Sequence, residues 1–312
     1  MQTDRPLLGI MLMLCFCLLA PLGDALAKLL GSSLPLVLIL SVRFLSQAIF
    51  LGPVTIATRR PWRLRGRLLY LAIWRTVLHI AGIGMMFTSL QYLPLADAIA
   101  IAFVMPFIML LLGKYVLNEG VGARRLSACI VGFIGTLLVI QPSFAAVGAP
   151  ALLPLGVAVV FALFMLVTRQ IAKDTDPIAL QAVSGAMASA LLLPLMFLGA
   201  ALHWPLFTLQ MPDLSQALLL LLIGVVGTAA HLAMTWSLRF APSATLAPMQ
   251  YLEIPIATGF GWLIFRDFPN GLATVGIGIT MASGLYIVFR EQASHRQSQA
   301  PAPQSPAPPA AE

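Results

Sequence analysis

Ten apolar runs of roughly 17–25 residues follow one another along this chain, each close to what a helix needs to cross a bilayer. They lie at about 7–30, 34–57, 68–90, 95–117, 126–141, 153–172, 178–201, 214–238, 243–265 and 272–289. The connections are mostly a few polar, Gly or Pro residues, which leaves no room for an extramembrane domain. In hydrocarbon every backbone N–H and C=O must find its partner inside the protein, and for runs of this length the helix is the solution. Composition points the same way. The chain is 60% hydrophobic and 9% charged, against roughly 25% charged in a soluble domain. So few charges cannot supply a polar surface, and lipid is the expected solvent. The expected class is an all-α integral membrane protein.

The second half repeats the first. YLPLADAIAIAFVMPFIMLLLGKYVLNEGVGARR at 92–125 returns as FAPSATLAPMQYLEIPIATGFGWLIFRDFPNG at 240–271. Pro94 matches Pro242 and Glu119 matches Asp267, each 148 residues on, while Gly135 and Gly284 match at 149. Such a repeat sets the architecture. Five spans per half is an odd number, so the halves enter the membrane from opposite sides and form inverted repeats, with a binding site at their interface. The expected units are 1–142 and 150–290, followed by a disordered cytoplasmic tail at 294–312 rich in Pro, Ala, Ser and Gln.

Lysines and arginines orient the chain. With the N-terminus inside, 14 of them fall on the inner side and 2, Lys28 and Arg266, on the outer side; Arg43 and Arg75 lie within spans. Both termini are therefore expected in the cytoplasm of a cell with an inner membrane. Arg5, the apolar run after it and Ala25-Leu26-Ala27 imitate a cleavable signal peptide. The repeat argues for keeping that segment, because the five spans of the second half require five in the first. The three cysteines fall inside apolar runs without metal-ligand spacing and are read as packing residues.

The quoted segments resemble the EamA-type repeats of the drug/metabolite transporter superfamily. The likeness rests on YLPLADAIAIAFVMP…LNEGVGARR, the Gly-rich GFIGTLLVIQP, Gln250-Tyr251-Leu252-Glu253 and RDFPNG…GIGITMASGLYIVFRE. It implies ten transmembrane helices in two five-helix repeats, with spans one, three, four, six, eight and nine lining a central cavity. Members of that superfamily carry amino acids, nucleotide-like metabolites, S-adenosylmethionine, riboflavin, sugars or amines. Arg266 departs from the pattern, standing where a small residue usually precedes the acidic one.

An ionisable side chain at bilayer depth costs roughly 2.5–3.5 kcal/mol on insertion scales, so each one requires a reason. Glu253 lies near the centre of the ninth span, two residues before Pro255, with Gln250 and Tyr251 beside it. It either lines the substrate cavity, binding a cationic group or a proton, or is held in a structural pair. Arg75 and His79 stand at i and i+4 on the third span, and Thr228, His231, Thr235 and Trp236 on the eighth. Arg75 is read as an anion contact or a structural group, and the histidines as switches or as polar links between helices. Tyr251 and Trp236 either stack on a flat ligand or simply pack. Arg43 shares a face with Gln47 and is expected to pair with a carboxylate of another span. Asp24 and Lys28 have ion-pair spacing, and Asp97 favours a helix N-terminus. Pro106 and Pro255 free the carbonyls of Ala102 and Tyr251 within their spans. Gly132, Gly135, Gly276, Gly278 and Gly284 permit close helix contact.

No G-x-S-x-G, H-E-x-x-H or P-loop occurs, and no metal or cofactor is expected. The basic run 59–67 is an orientation signal beside lipid headgroups rather than a nucleic-acid surface. The expected function is secondary transport of a small polar organic metabolite, with riboflavin, S-adenosylmethionine and amino-acid-like solutes as candidates. Its partners are that solute and the bilayer, and a homodimer is compatible with the chain. The competing classes are an integral-membrane enzyme and a non-transporting sensor or assembly partner. The candidate site residues are Glu253, Gln250, Tyr251, His231, Trp236, Arg75 and His79.

Overall fold

The computed structural model describes residues 5–116, 123–204, 207, 209–241 and 246–299, and every regular element among them is helical. The first three apolar runs form α1 (Pro6–Gly31), α2 (Leu36–Ala57) and α3 (Arg67–Ser89). The fourth forms two helices, α4 (Leu95–Ala102) and α5 (Met105–Val116). Then come α6 (Ala123–Val147), α7 (Leu153–Ile171), α8 (Pro177–Ala201) and α9 (Leu214–Phe240). The ninth run is composite: a 3₁₀ segment Ala247–Leu252, α10 (Glu253–Phe260) and a π-helical turn Gly261–Phe265. Last is α11 (Gly271–Gln299). Seven helices among the described residues are long and apolar enough to cross a membrane.

Local chemistry sets the boundaries. Pro35 and Pro94 hold extended backbone immediately before α2 and α4. Asp176 caps α8, its Oδ1 accepting from the amides of Ile178 and Ala179 at 3.0 Å each. Asp213 and Gln216 form a capping box on α9. Pro106 and Pro255, expected inside continuous spans, stand instead near helix starts. In the fourth run the helix stops at Ala102 and restarts at Met105, so Pro106 falls in the first turn of α5. There its missing N–H is one of the donors that a helix start leaves unused anyway. Pro255 likewise lies in the first turn of α10. The departure at Arg266 closes the π turn: the residue is left-handed, at φ 58°, with its amide bonded to Trp262 O at 3.1 Å. α11 continues to Gln299, beyond Ala293 where a disordered tail was expected to begin, since the first proline of that stretch is Pro301. Residues 300–312 lie outside the described ones.

The two halves interleave instead of packing as separate bodies. α1 packs most extensively on α9, α2 on α8, α3 on α7, α6 on α11 and α4 on α10. Numbered as spans, these pairs are 1–8, 2–7, 3–6, 5–10 and 4–9. Exchanging the halves, so that span n becomes n+5, returns the same set of pairs. A twofold relation between two repeats requires that property.

Polarity is distributed inside-out relative to a soluble protein. Met11, Leu18, Ile49, Ile56, Trp74, Phe197, Leu218 and Leu263 are exposed on the outside. Arg75 (0% exposed) and Arg43 (2%) are among the largest buried side chains. The α6–α11 contact depends on small residues: a Cβ at residue 135 would meet Thr280 Oγ1 at 2.6 Å and Gly276 O at 2.8 Å. Gly132 and Gly276 are similarly tight, whereas Gly278 has open space beside it and takes no part in the contact. Gly284 lies where no side-chain environment is described.

Candidate functional site

A partly open cavity lies between helices of both halves. α1 contributes Phe16, Leu19, Ala20, Gly23 and Asp24, which follow one another at helical spacing and so share a face. α9 does the same with Ile223, Gly227, Ala230 and His231. α3, α4, α5 and α7 add mostly apolar residues, with the rings of Phe16, Phe87, Phe103 and Phe161 as walls. The lining spans are those that the family resemblance implied, together with the second span through Arg43. Glu253 closes one side at the junction where the 3₁₀ segment passes into α10. The polar complement is therefore small: Asp24, Glu253, Arg43 and His231 in an otherwise greasy chamber.

Arg43 is held from behind. Its Nη1 donates to Gln47 Oε1 at 3.1 Å and its Nη2 to the carbonyl of Gly227 at 2.9 Å. Glycine is required at 227, because a Cβ there would collide with the guanidinium. The expected carboxylate of another span makes no direct contact: an amide and a backbone carbonyl take these donors, and Asp24 of α1, on the same cavity wall, acts on the guanidinium only at longer range. The Asp24–Lys28 pair does not form either. Lys28 Nζ turns to Asp267 Oδ2 at 3.2 Å and Leu93 O at 3.0 Å, above the Phe265 ring at 4.9 Å. A carboxylate, a carbonyl and a ring together outcompete one neighbour on the same helix, and Asp24 is left on the cavity face. Asp97 lies in the first turn of α4 as expected, and it also accepts from Ser143 Oγ at 3.1 Å.

Of the seven candidate residues, Glu253 and His231 line the cavity and the other five are placed elsewhere. Arg75 stands about 10 Å along α3 from the lining residue Gly82. Its guanidinium donates to Thr168 Oγ1 (3.0 Å), Ser184 Oγ (2.9 Å) and Thr235 Oγ1 (3.3 Å), and it lies over the Phe164 ring at 4.8 Å. His79 is packed among Phe44, Phe164 and His231, with ring centroids 5.0, 4.7 and 4.2 Å away, and neither of its nitrogens has a hydrogen-bond partner. Gln250 is fully buried and donates to Met165 Sδ at 3.6 Å. Tyr251 packs on Phe103, with centroids 5.2 Å apart. Trp236 follows His231 by five residues, which turns it about 140° away from the cavity face of α9.

One polar group that joins several of these residues, Gln181, escaped sequence reasoning. Gln47 Nε2 donates to Gln181 at both its backbone carbonyl (2.7 Å) and its Oε1 (2.9 Å). Gln181 Nε2 donates to His231 O (2.8 Å) and Thr235 Oγ1 (2.9 Å). A continuous polar line thus runs from Arg43 through Gln47, Gln181 and Thr235 to Arg75, tying α2, α8, α9 and α3 together. The only signal for Gln181 was an amide inside an apolar run, and its partners lie far away in the chain. Among the described residues no group of three or more His, Cys, Asp or Glu could hold a metal ion.

Comparisons with known proteins agree with this architecture. A solved crystal structure superposes with a TM-score of 0.65, covering 92% of this chain and 97% of that one at 18% identity, which speaks to the fold alone. A riboflavin transporter of Rhizobium johnstonii is 26% identical across 79% of this chain and 76% of its own. A riboflavin transporter of Vibrio cholerae is 28% identical over 72% of each. An S-adenosylmethionine uptake transporter of Rickettsia prowazekii is 24% identical over 92% of this chain and 94% of its own. These names point away from an enzyme and toward a multi-pass membrane protein handling a small molecule. The family model described as the EamA-like transporter family matches residues 7–141 and again 149–289. The chain belongs to the EamA-like transporter family.

Proposed function

We propose that this protein is a secondary transporter of a small polar organic metabolite, built as ten spans in two inverted five-helix repeats and working by alternating access. The observation that carries the reading is Glu253: an acidic side chain on the wall of a central cavity, where a 3₁₀ segment passes into an α-helix. Departures from regular α-helix mark the solute site in other transporters made of inverted repeats. The exchange-invariant pairing of helices supports the twofold relation, and the placement of lysine and arginine supports both termini on the cytoplasmic side of an inner membrane. Riboflavin, S-adenosylmethionine and amino-acid-like solutes are the candidate cargoes. The names of the relatives support the first two.

Purified protein in sealed vesicles, given labelled riboflavin or labelled S-adenosylmethionine, tests this directly. The wild type should accumulate at least one of them. Glu253→Gln should lower the initial rate by about tenfold or more, the scale of losing one hydrogen bond to a charged group. Undiminished uptake by that variant would assign Glu253 a structural role, and no uptake of any candidate by the wild type would remove the transport reading.

A further inference from the structure

Among the described residues Asp24 makes no hydrogen bond or close ion pair, and its one opposite charge is Arg43 across the cavity wall. Its neighbour by spacing, Lys28, is engaged by Asp267 and Leu93 O, while Asp24 shares the cavity wall with Glu253, Arg43 and four phenylalanines. Its side chain is half-buried, open to the cavity and not sealed behind it. On the same wall His231 is 7% exposed, and its buried Nδ1 has no hydrogen-bond partner. Two carboxyls face one guanidinium, so acidic groups outnumber basic ones on the chamber wall. Arg43 has further N–H groups beyond the two committed to Gln47 and Gly227, because a guanidinium carries five.

Resting on the transport reading above, we propose that Asp24 and Glu253 together form a cation-binding face. With Arg43 it makes the cavity selective for solutes that join a flat heteroaromatic ring to a zwitterionic group with one additional positive charge. The phenylalanine rings accept the heteroaromatic ring, Arg43 accepts the solute's carboxylate, and the two acids take its ammonium and its second cationic centre. A neutral solute with a similar ring fills the same space but leaves a buried carboxylate without a counter-charge, which is the costly outcome in a site of low polarity. Asp24 is thus a specificity-determining residue, and discrimination comes as much from rejecting neutral ligands as from gripping charged ones.

The experiment uses the full-length protein and three probes: S-adenosylmethionine, which carries the sulfonium charge; its demethylated thioether, which lacks only that charge; and riboflavin, which is neutral. Binding constants are measured for wild type, Asp24→Asn and Asp24→Glu, with thermal unfolding of each as a check on folding. The wild type should prefer the sulfonium to the thioether by about tenfold or more. Asp24→Asn should bring that ratio to within about threefold of unity and Asp24→Glu should restore it, with the thioether's own affinity little changed. A wild type that binds riboflavin or the thioether as tightly as the sulfonium overturns the inference and leaves the transport reading standing. So does an Asp24→Asn variant that is folded and keeps the full ratio. A wild type that neither binds nor moves any of the three removes the transport reading, and this inference with it.

Discussion

At the scale of single residues, the buried charges divide by what surrounds them. Arg75 donates to hydroxyls of three other helices and has no cavity exposure. A lysine there presents one compact ammonium instead of a planar fork and can keep about one of those three contacts. At roughly 0.6 kcal/mol per interhelical bond in a membrane protein, Arg75→Lys should cost about 1–2 kcal/mol. The thermal midpoint in detergent should fall, while solute affinity shifts by less than about threefold. His79 poses the opposite case: two buried nitrogens without partners among aromatic rings. His79→Phe removes a desolvated polar group of about 1–3 kcal/mol and keeps the packing. Its unfolding temperature should match or exceed the wild type's, and a clear drop would show that the imidazole holds a partner. That Arg75 and His79 stand at i and i+4 was plain in the sequence. Which of them faced a cavity was not, because that depends on Thr168, Ser184 and Thr235 arriving from other helices.

At the scale of elements, the fourth span is interrupted just before Pro106, the ninth changes helix type where Gln250, Glu253 and Pro255 cluster, and the fifth and tenth are joined by glycine. The α6–α11 contact is so close that even a methyl group at residue 135 meets backbone and hydroxyl. Gly135→Ala should lower stability by about 1–3 kcal/mol through overpacking, read as a drop in thermal midpoint. Gly278→Ala, with nothing nearby, should be neutral or slightly stabilising, since alanine is the better helix former. In the sequence both glycines read alike, as sites of close helix contact. The difference between them is one of rotation about the helix axis, fixed only when the partner helix is in place.

At the scale of the whole molecule, two ion pairs mark opposite ends of the bundle. Lys28 at the end of α1 meets Asp267 beyond α10, and Arg60 beyond α2 meets Asp176 at the start of α8, at 2.7 Å. α1 and α2 are joined by a short turn, so the end of α2 lies at the other face from the end of α1. If the halves rock about the central cavity, these are contacts that must break in turn. Partly exposed pairs are worth about 0–1 kcal/mol, enough to shift a two-state balance up to about fivefold. In a cysteine-free background carrying Ala20→Cys on the cavity wall, Lys28→Met should raise the labelling rate by a factor in that range. An unchanged rate would make the contact incidental. The sequence by itself determined that the chain is helical, bound for a membrane, and written twice, because hydrophobic length, charge scarcity and a 148-residue period are properties of the linear string. It also singled out Glu253 as a charge needing a reason. Tertiary structure alone decided that Asp24 rather than Arg75 faces the chamber, that Lys28 serves a distant helix end, and that Gln181 links the two halves. Each of those outcomes is a competition among partners hundreds or tens of residues apart, and one-dimensional spacing carries no information about which partner wins.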